Sequence, residues 1–290
     1  MRDYFGRNNF GPRFLDDKIS FEQGVQRAKN IIKKEAIQYE QLEPFFGYET
    51  IKVDRARVAN AEEQFRQGKQ IDAYGSNCGT IFEAILHLRL KKNDWITDST
   101  DEAKRTNPVD DFFNHIDELV GLGNEKKDKK IFFAIDALTV GGGPLNVGIE
   151  KKMDRIQDEI VSGQLPKIKY FLDEKTGEVG KKDVPRIVIA ADIKTVQELN
   201  ELWMEGDKEK LAKHPLQIQM LEQIIEEAGI FSSFAKRKGK DEIAKKYDEI
   251  RAETKRRLSK ITKHIYTDWN DNGSSVVSNA LYPFKQINMK

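Results

Sequence analysis

The sequence predicts an α/β protein: a mixed central sheet flanked by helices, with helical extensions at both ends. Three observations carry this. Two apolar runs, one over 112–120 and one over 131–139, read as neighbouring strands. A third run, Pro185-Arg186-Ile187-Val188-Ile189-Ala190-Ala191, reads as a buried strand. Around and between them, apolar residues recur at helical spacing. The order helix, strand, strand, helix, strand, strand, helix is satisfied by a mixed sheet with helices on its faces.

The elements follow in order. Residues 1–18 read as an arm in which Tyr4, Phe5, Phe10 and Phe14 alternate with Arg2, Arg7 and Arg13. Such an arm suits docking on a partner or stacking on bases. Ser20-Phe21-Glu22-Gln23 fits a capping box that opens a helix through Val25, Ala28, Ile31, Ile32, Ala36 and Tyr39 and ends before Pro44. A polar helix is expected over 54–69, and another over 79–92 through Ile81, Phe82, Ile85 and Leu86. A polar loop containing Asn107-Pro108 leads into the first strand, and Gly121-Leu122-Gly123-Asn124-Glu125-Lys126-Lys127-Asp128 has the chemistry of a turn. The breaker Gly141-Gly142-Gly143-Pro144 precedes a helix over 147–161 with Ile149, Met153, Ile156 and Ile160 on its apolar face. A hairpin comes next, built from an alternating stretch at 167–172, a turn at Asp173-Glu174-Lys175-Thr176-Gly177 and the buried strand at 185–191. Helices over 195–204 and 215–229 follow. A basic helix after Lys236 keeps an apolar stripe of Ile243, Tyr247, Ile250, Leu258 and Ile261, and residues 268–290 read as irregular. Three segments result: an N-terminal arm and helical extension (1–70), an α/β core (71–230), and a basic helix with a C-terminal tail (231–290).

Composition narrows the functional classes. No apolar run approaches the roughly 18 residues of a membrane span. A single cysteine, Cys78, excludes an intramolecular disulfide and a cysteine-cluster zinc site, and fits a reducing, cytoplasmic setting. The net charge of +1 means that contact with nucleic acid needs local charge segregation. The 236–263 stretch supplies it, with 12 Lys or Arg against 5 Asp or Glu. Lys236, Arg237, Lys238, Arg256 and Arg257 are its candidate phosphate contacts.

Each of the first two strands carries one aspartate, Asp117 and Asp136. A buried carboxylate is costly unless it is paired or holds a cation. Two on adjacent strands suggest a site for a hard divalent metal, magnesium or manganese, since no histidine or cysteine accompanies them. Asp117 also suits a strand end, where an aspartate caps a turn. Asp136 follows five apolar residues directly and is harder to place on the surface. On the helix after the glycines, Lys152 lies about 70° from the centre of the apolar face and Lys151 about 170°. Lys152 can therefore reach back along the sheet, whereas Lys151 faces solvent. Glu83 flanks the apolar face of the preceding helix. Asp192-Ile193-Lys194 is a literal Asp-x-Lys, but its position just before a helix makes Asp192 a cap. His115 reads as structural, and His87 and His214 have no partners at metal-binding spacing. Gly141-Gly142-Gly143 lacks the Gly-Lys-Ser/Thr ending of a phosphate loop.

Glu83, Asp117 within His115-Ile116-Asp117, and Asp136 within Ile135-Asp136-Ala137-Leu138 resemble the PD-(D/E)XK, restriction-endonuclease-like, nuclease superfamily. The resemblance covers roughly residues 75–225. Leu138 stands where the motif lysine belongs; some members place that lysine on the following helix, which suits Lys152. The resemblance implies metal-assisted phosphodiester hydrolysis, with Asp117 and Asp136 holding magnesium or manganese, Glu83 in support and Lys152 as the fourth catalytic group. It implies nucleic acid as partner, DNA ahead of RNA, and allows a homodimer or a larger complex. Two alternatives stand beside it: an inactive binding or assembly subunit with the same fold, and a structural component of a larger nucleoprotein particle.

Overall fold

A computed structural model describes residues 12–67, 73–92, 94–98, 101–124, 127–141, 147–173, 176–261 and 272–285. The arm residues up to Phe10 and the glycine breaker at 142–144 lie outside these residues.

The chain opens with α1 (Pro12–Glu35), α2 (Tyr39–Phe46), α3 (Tyr48–Gln67) and α4 (Ala73–Lys91). Strand β1 (Glu102–Arg105) and helix α5 (Pro108–Asn114) precede β2 (Glu118–Asn124) and β3 (Lys127–Val140). Then come α6 (Val147–Ser162), β4 (Lys167–Asp173), β5 (Glu178–Asp183), β6 (Arg186–Asp192) and α7 (Ile193–Glu205). The chain continues through α8 (Lys208–Ala212), α9 (Leu216–Arg237), α10 (Asp241–Ile261), α11 (Asn272–Ala280) and α12 (Tyr282–Lys285).

The fold is mixed α/β, as the sequence predicts. Its four-stranded sheet has the order β1-β2-β3-β6. The first two pairings are antiparallel and β3 pairs β6 in parallel, with Asp136 opposite Val188. Val120, Phe133, Ile135, Ile187 and Ile189 join one continuous core with side chains of α1, α4, α6, α7, α9, α10 and α11. Leu119, Ala134, Ile168, Phe171 and Val184 form a second cluster between the sheet and the β4–β5 hairpin. Among the described residues, no helix is long and apolar enough to cross a membrane.

Several local expectations need correction. The stretch from Phe112 to Asn114 is helical, not the start of a strand. Asn107 caps α5 by accepting the Val109 N–H at 3.0 Å, and Pro108 occupies its first turn, so Asn107-Pro108 is a helix start. Gly121 to Asn124 is strand rather than turn. Gly121 pairs with Phe132, whose ring would lie 2.7 Å from a Cβ at position 121, so glycine here makes room for an aromatic neighbour. The predicted partner of β6 in a hairpin is wrong: β4 pairs with β5, and β6 crosses over to β3. β5 is short and polar, with little apolar alternation to mark it.

The helical ends also differ. α1 runs through Ser20 without a start there, and breaks at 36–38 rather than before Pro44. The break is held by Ile37, whose N–H donates to Arg105 O (3.3 Å) and whose carbonyl accepts from Asn107 Nδ2 (2.8 Å). α9 reaches Arg237, and α11 and α12 occupy part of the tail expected to be irregular.

β6 is an edge strand, and α9 covers its free edge with side chains. Gln223 donates from Nε2 to Ala190 O (2.9 Å) and accepts the Ala190 N–H at Oε1 (3.0 Å). One turn later, Glu227 Oε2 accepts the Val188 N–H (2.9 Å). Ala190, Val188, Gln223 and Glu227 are all buried, so these bonds satisfy peptide groups that water cannot reach.

Candidate active site

Asp136 sits near the end of β3 and is 2% exposed. Its Oδ1 receives the Lys152 ammonium from α6, the lysine that the helix rotation selects. Lys152 also donates to Ala137 O at 3.3 Å. Arg186, at the start of β6, places Nη1 3.6 Å from Asp136 Oδ2. That oxygen is buried and makes no hydrogen bond. Burial raises the Asp136 pKa and Asp117 adds to the rise, while Lys152 and Arg186 oppose it.

Asp117 stands one residue before β2 and still takes part in the sheet. Its N–H donates to Ile135 O (3.1 Å), and its Oδ2 accepts the Ala137 N–H (2.7 Å). The side chain thus replaces a missing strand acceptor beside Asp136. His115 is not a strand residue: it ends α5 in the left-handed conformation (φ 52°). Partial loss of water around the otherwise exposed ring, with Arg155 and Arg186 nearby, lowers its pKa to about 4.

Glu83 projects from α4 to the same region. Arg105 of β1 gathers three acids: Nη2 donates to Glu83 Oε2 (2.7 Å) and Asp111 Oδ2 (2.8 Å), and lies 3.9 Å from Asp117 Oδ1. Burial and the Asp117 charge raise the Glu83 pKa to about 8, although Arg105 pulls it down. Asp111 rises to about 6, again mainly through burial. The structure therefore brings Glu83, Asp117, Asp136 and Lys152 into one region. Arg105, Asp111 and Arg186 join them without having been anticipated. A charged residue at the head of an apolar strand was the available signal for Arg186; for Arg105, in a four-residue polar strand, the sequence offers none.

The predicted basic contacts divide. Arg257 is 3% exposed and cannot meet a nucleic-acid backbone. Its guanidinium is bonded to Asp101, to Glu253 (3.2 Å) and to the carbonyls of Ile96 (3.2 Å) and Gly123 (3.3 Å). It fastens α10 to the segment before β1. Arg256 is half-buried against Glu253. Lys236, Arg237 and Lys238 are exposed, with Lys236 paired to Asp248 (2.7 Å) and Arg237 donating to Phe284 O. Arg237 also lines a groove of about 640 Å³ with Arg251, Lys285, Glu222 and Glu226; none of the carboxylate-site residues borders it. Asp192 is a cap, accepting the Thr195 N–H at 2.7 Å.

Among the described residues, no three His, Cys, Asp or Glu side chains are grouped to hold a metal ion. Comparison with family models, curated proteins and solved structures finds no match. Function has to be read from the side chains.

Proposed function

We propose that this protein is a metal-dependent nuclease that hydrolyses phosphodiester bonds, with DNA the first substrate to test. The observation that carries the reading is the meeting of two buried acids from separate segments, Asp117 and Asp136, beside Lys152.

The donor set suits a magnesium or manganese ion. Magnesium is commonly held by one or two carboxylates and completes its shell with water and substrate phosphate. A pair of aspartates is then sufficient, and Asp136 Oδ2, which accepts no hydrogen bond and has Arg186 3.6 Å away, is the atom that Asp136 would offer to the ion. Asp117 and Asp136 would hold the ion, which supplies charge to a phosphoryl oxygen and lowers the pKa of a bound water. Lys152 opposes the rise of the Asp136 pKa, holds that carboxyl in place, and stands where it can stabilise developing negative charge. Arg105 ties Glu83 and Asp111 together and lies 3.9 Å from Asp117, whose side chain the Ala137 N–H orients. The fold class and this cluster are compatible with a restriction-endonuclease-like core carrying its lysine on α6.

The test is cleavage of single- and double-stranded DNA and RNA with magnesium or manganese, comparing wild type with Asp136→Ala and Asp136→Asn. Metal-dependent cutting, lost in both folded variants, supports the nuclease. The second reading, an inactive binding or assembly subunit, draws on Leu138 at the motif-lysine position and on Arg105 already neutralising the acids. Binding without cutting by wild type would favour it, and neither binding nor cutting would favour a structural component.

A further inference from the structure

α6 carries Lys152, Arg155 and Glu159 at spacings of three and four, a single stripe of the helix. Lys152 ends at Asp136 and Glu159 ends at Arg186, 3.0 Å away. Arg155, between them, is half-buried yet makes no hydrogen bond and no ion pair within 4 Å among the described residues. Burial and the charge of Arg186 both work against its protonated form; Asp136 and Glu159 offset this only in part. Arg186 is itself 1% exposed and donates to His115 O, Asn114 O and Glu159, while its Nε is buried without a partner. Exposed His115 lies within reach of the charges on Arg155, Arg186 and Lys152. Three cations, Lys152, Arg155 and Arg186, stand among the carboxylates Asp117, Asp136 and Glu159. Among the described residues, Lys152 and Arg186 are paired with these acids and Arg155 is not, so its guanidinium is the one left to take an anion from solution.

We propose that Arg155, on the α6 stripe between Lys152 and Glu159, binds a phosphate group next to the Asp117–Asp136 pair. This rests on the nuclease reading for the identity of that phosphate as one of a nucleic-acid backbone. A guanidinium free of protein partners presents two parallel N–H groups, the geometry that phosphate accepts. Arg155 is a binding residue in this scheme and holds the strand so that the neighbouring phosphodiester faces the acids.

The test uses inorganic phosphate first, followed by NMR chemical shifts in wild type, Arg155→Gln and Arg155→Lys. The expected result is phosphate binding by wild type, weakened about tenfold in Arg155→Gln and less in Arg155→Lys, since one charge-assisted hydrogen-bond pair is lost. A second arm measures oligonucleotide affinity against salt without divalent metal. There Arg155→Gln should lower affinity and reduce the log–log salt slope by about one. Thermal stability of Arg155→Gln should equal or exceed that of wild type, because no protein contact is removed. No phosphate binding by wild type, or equal binding by Arg155→Gln, overturns the inference. Phosphate binding that depends on Arg155 without any oligonucleotide binding keeps the anion site and overturns the nuclease reading instead.

Discussion

Gln223→Leu is expected to destabilise the fold by about 2–6 kcal/mol, and the reason lies entirely in the backbone of β6. The leucine fills nearly the same volume, so the packing change itself is under about 1.5 kcal/mol. What it removes is the pair of bonds to Ala190 N–H and C=O. Both groups lie in a strand that is buried on its covered edge, and each buried peptide group left unsatisfied costs about 1–3 kcal/mol. Urea unfolding followed by circular dichroism measures the loss directly. Glu222→Gln, one position earlier and exposed, is the control and should shift stability by less than about 0.5 kcal/mol. A Gln223→Leu change below about 1 kcal/mol would refute the reasoning, because it would mean that another group or water satisfies the edge.

The remaining predictions concern charge and capping. Arg257→Leu should cost about 3–5 kcal/mol, since it strands the buried Asp101 carboxylate, and should leave any nucleic-acid affinity unchanged; both are read by calorimetry and filter binding. Glu83→Gln should flatten the pH dependence of stability. A carboxyl whose pKa is raised from about 4.5 to about 8 on folding favours the folded state below pH 4.5, and its penalty grows as pH rises toward 8. The variant should therefore gain on wild type between those pH values, and equal slopes in pH-dependent melts would contradict it. Asp192→Ala removes the cap of α7 and should cost about 1 kcal/mol by urea unfolding.

The sequence marks some of this arrangement and hides the rest for physical reasons. Asp136 is legible because an acid inside an apolar run must be explained, and Lys152 because helix rotation separates it from Lys151. Asp192 reads as a cap from its place before a helix, and the structure gives it that bond. Helix α5 is missed although Asn107-Pro108 is its start signal, because Phe112 and Phe113 beside Ile116 and Leu119 imitate a strand. Arg105 and Arg186 meet the acids only through pairing of β1 with β2 and of β6 with β3. Neither pairing leaves a local pattern. Arg257 shows the converse: a residue in a basic stretch looks available to solvent until its buried acids, far away in the chain, are known.

The parallel joining of β3 to β6 also bears on how the chain reaches its native state. β1, β2 and β3 can assemble as soon as they exist, but β6 arrives only after α6 and the β4–β5 hairpin have been made. Until then β3 presents an open edge along Ala134-Ile135-Asp136-Ala137-Leu138-Thr139-Val140, the kind of largely apolar segment that recruits other chains. Asp136 stands within that segment. Before Lys152 and Arg186 close over it, its unneutralised charge opposes stacking of one nascent β3 on another. The aspartate that gives the finished protein its candidate ligand therefore acts, in the unfinished one, as a gatekeeper against aggregation.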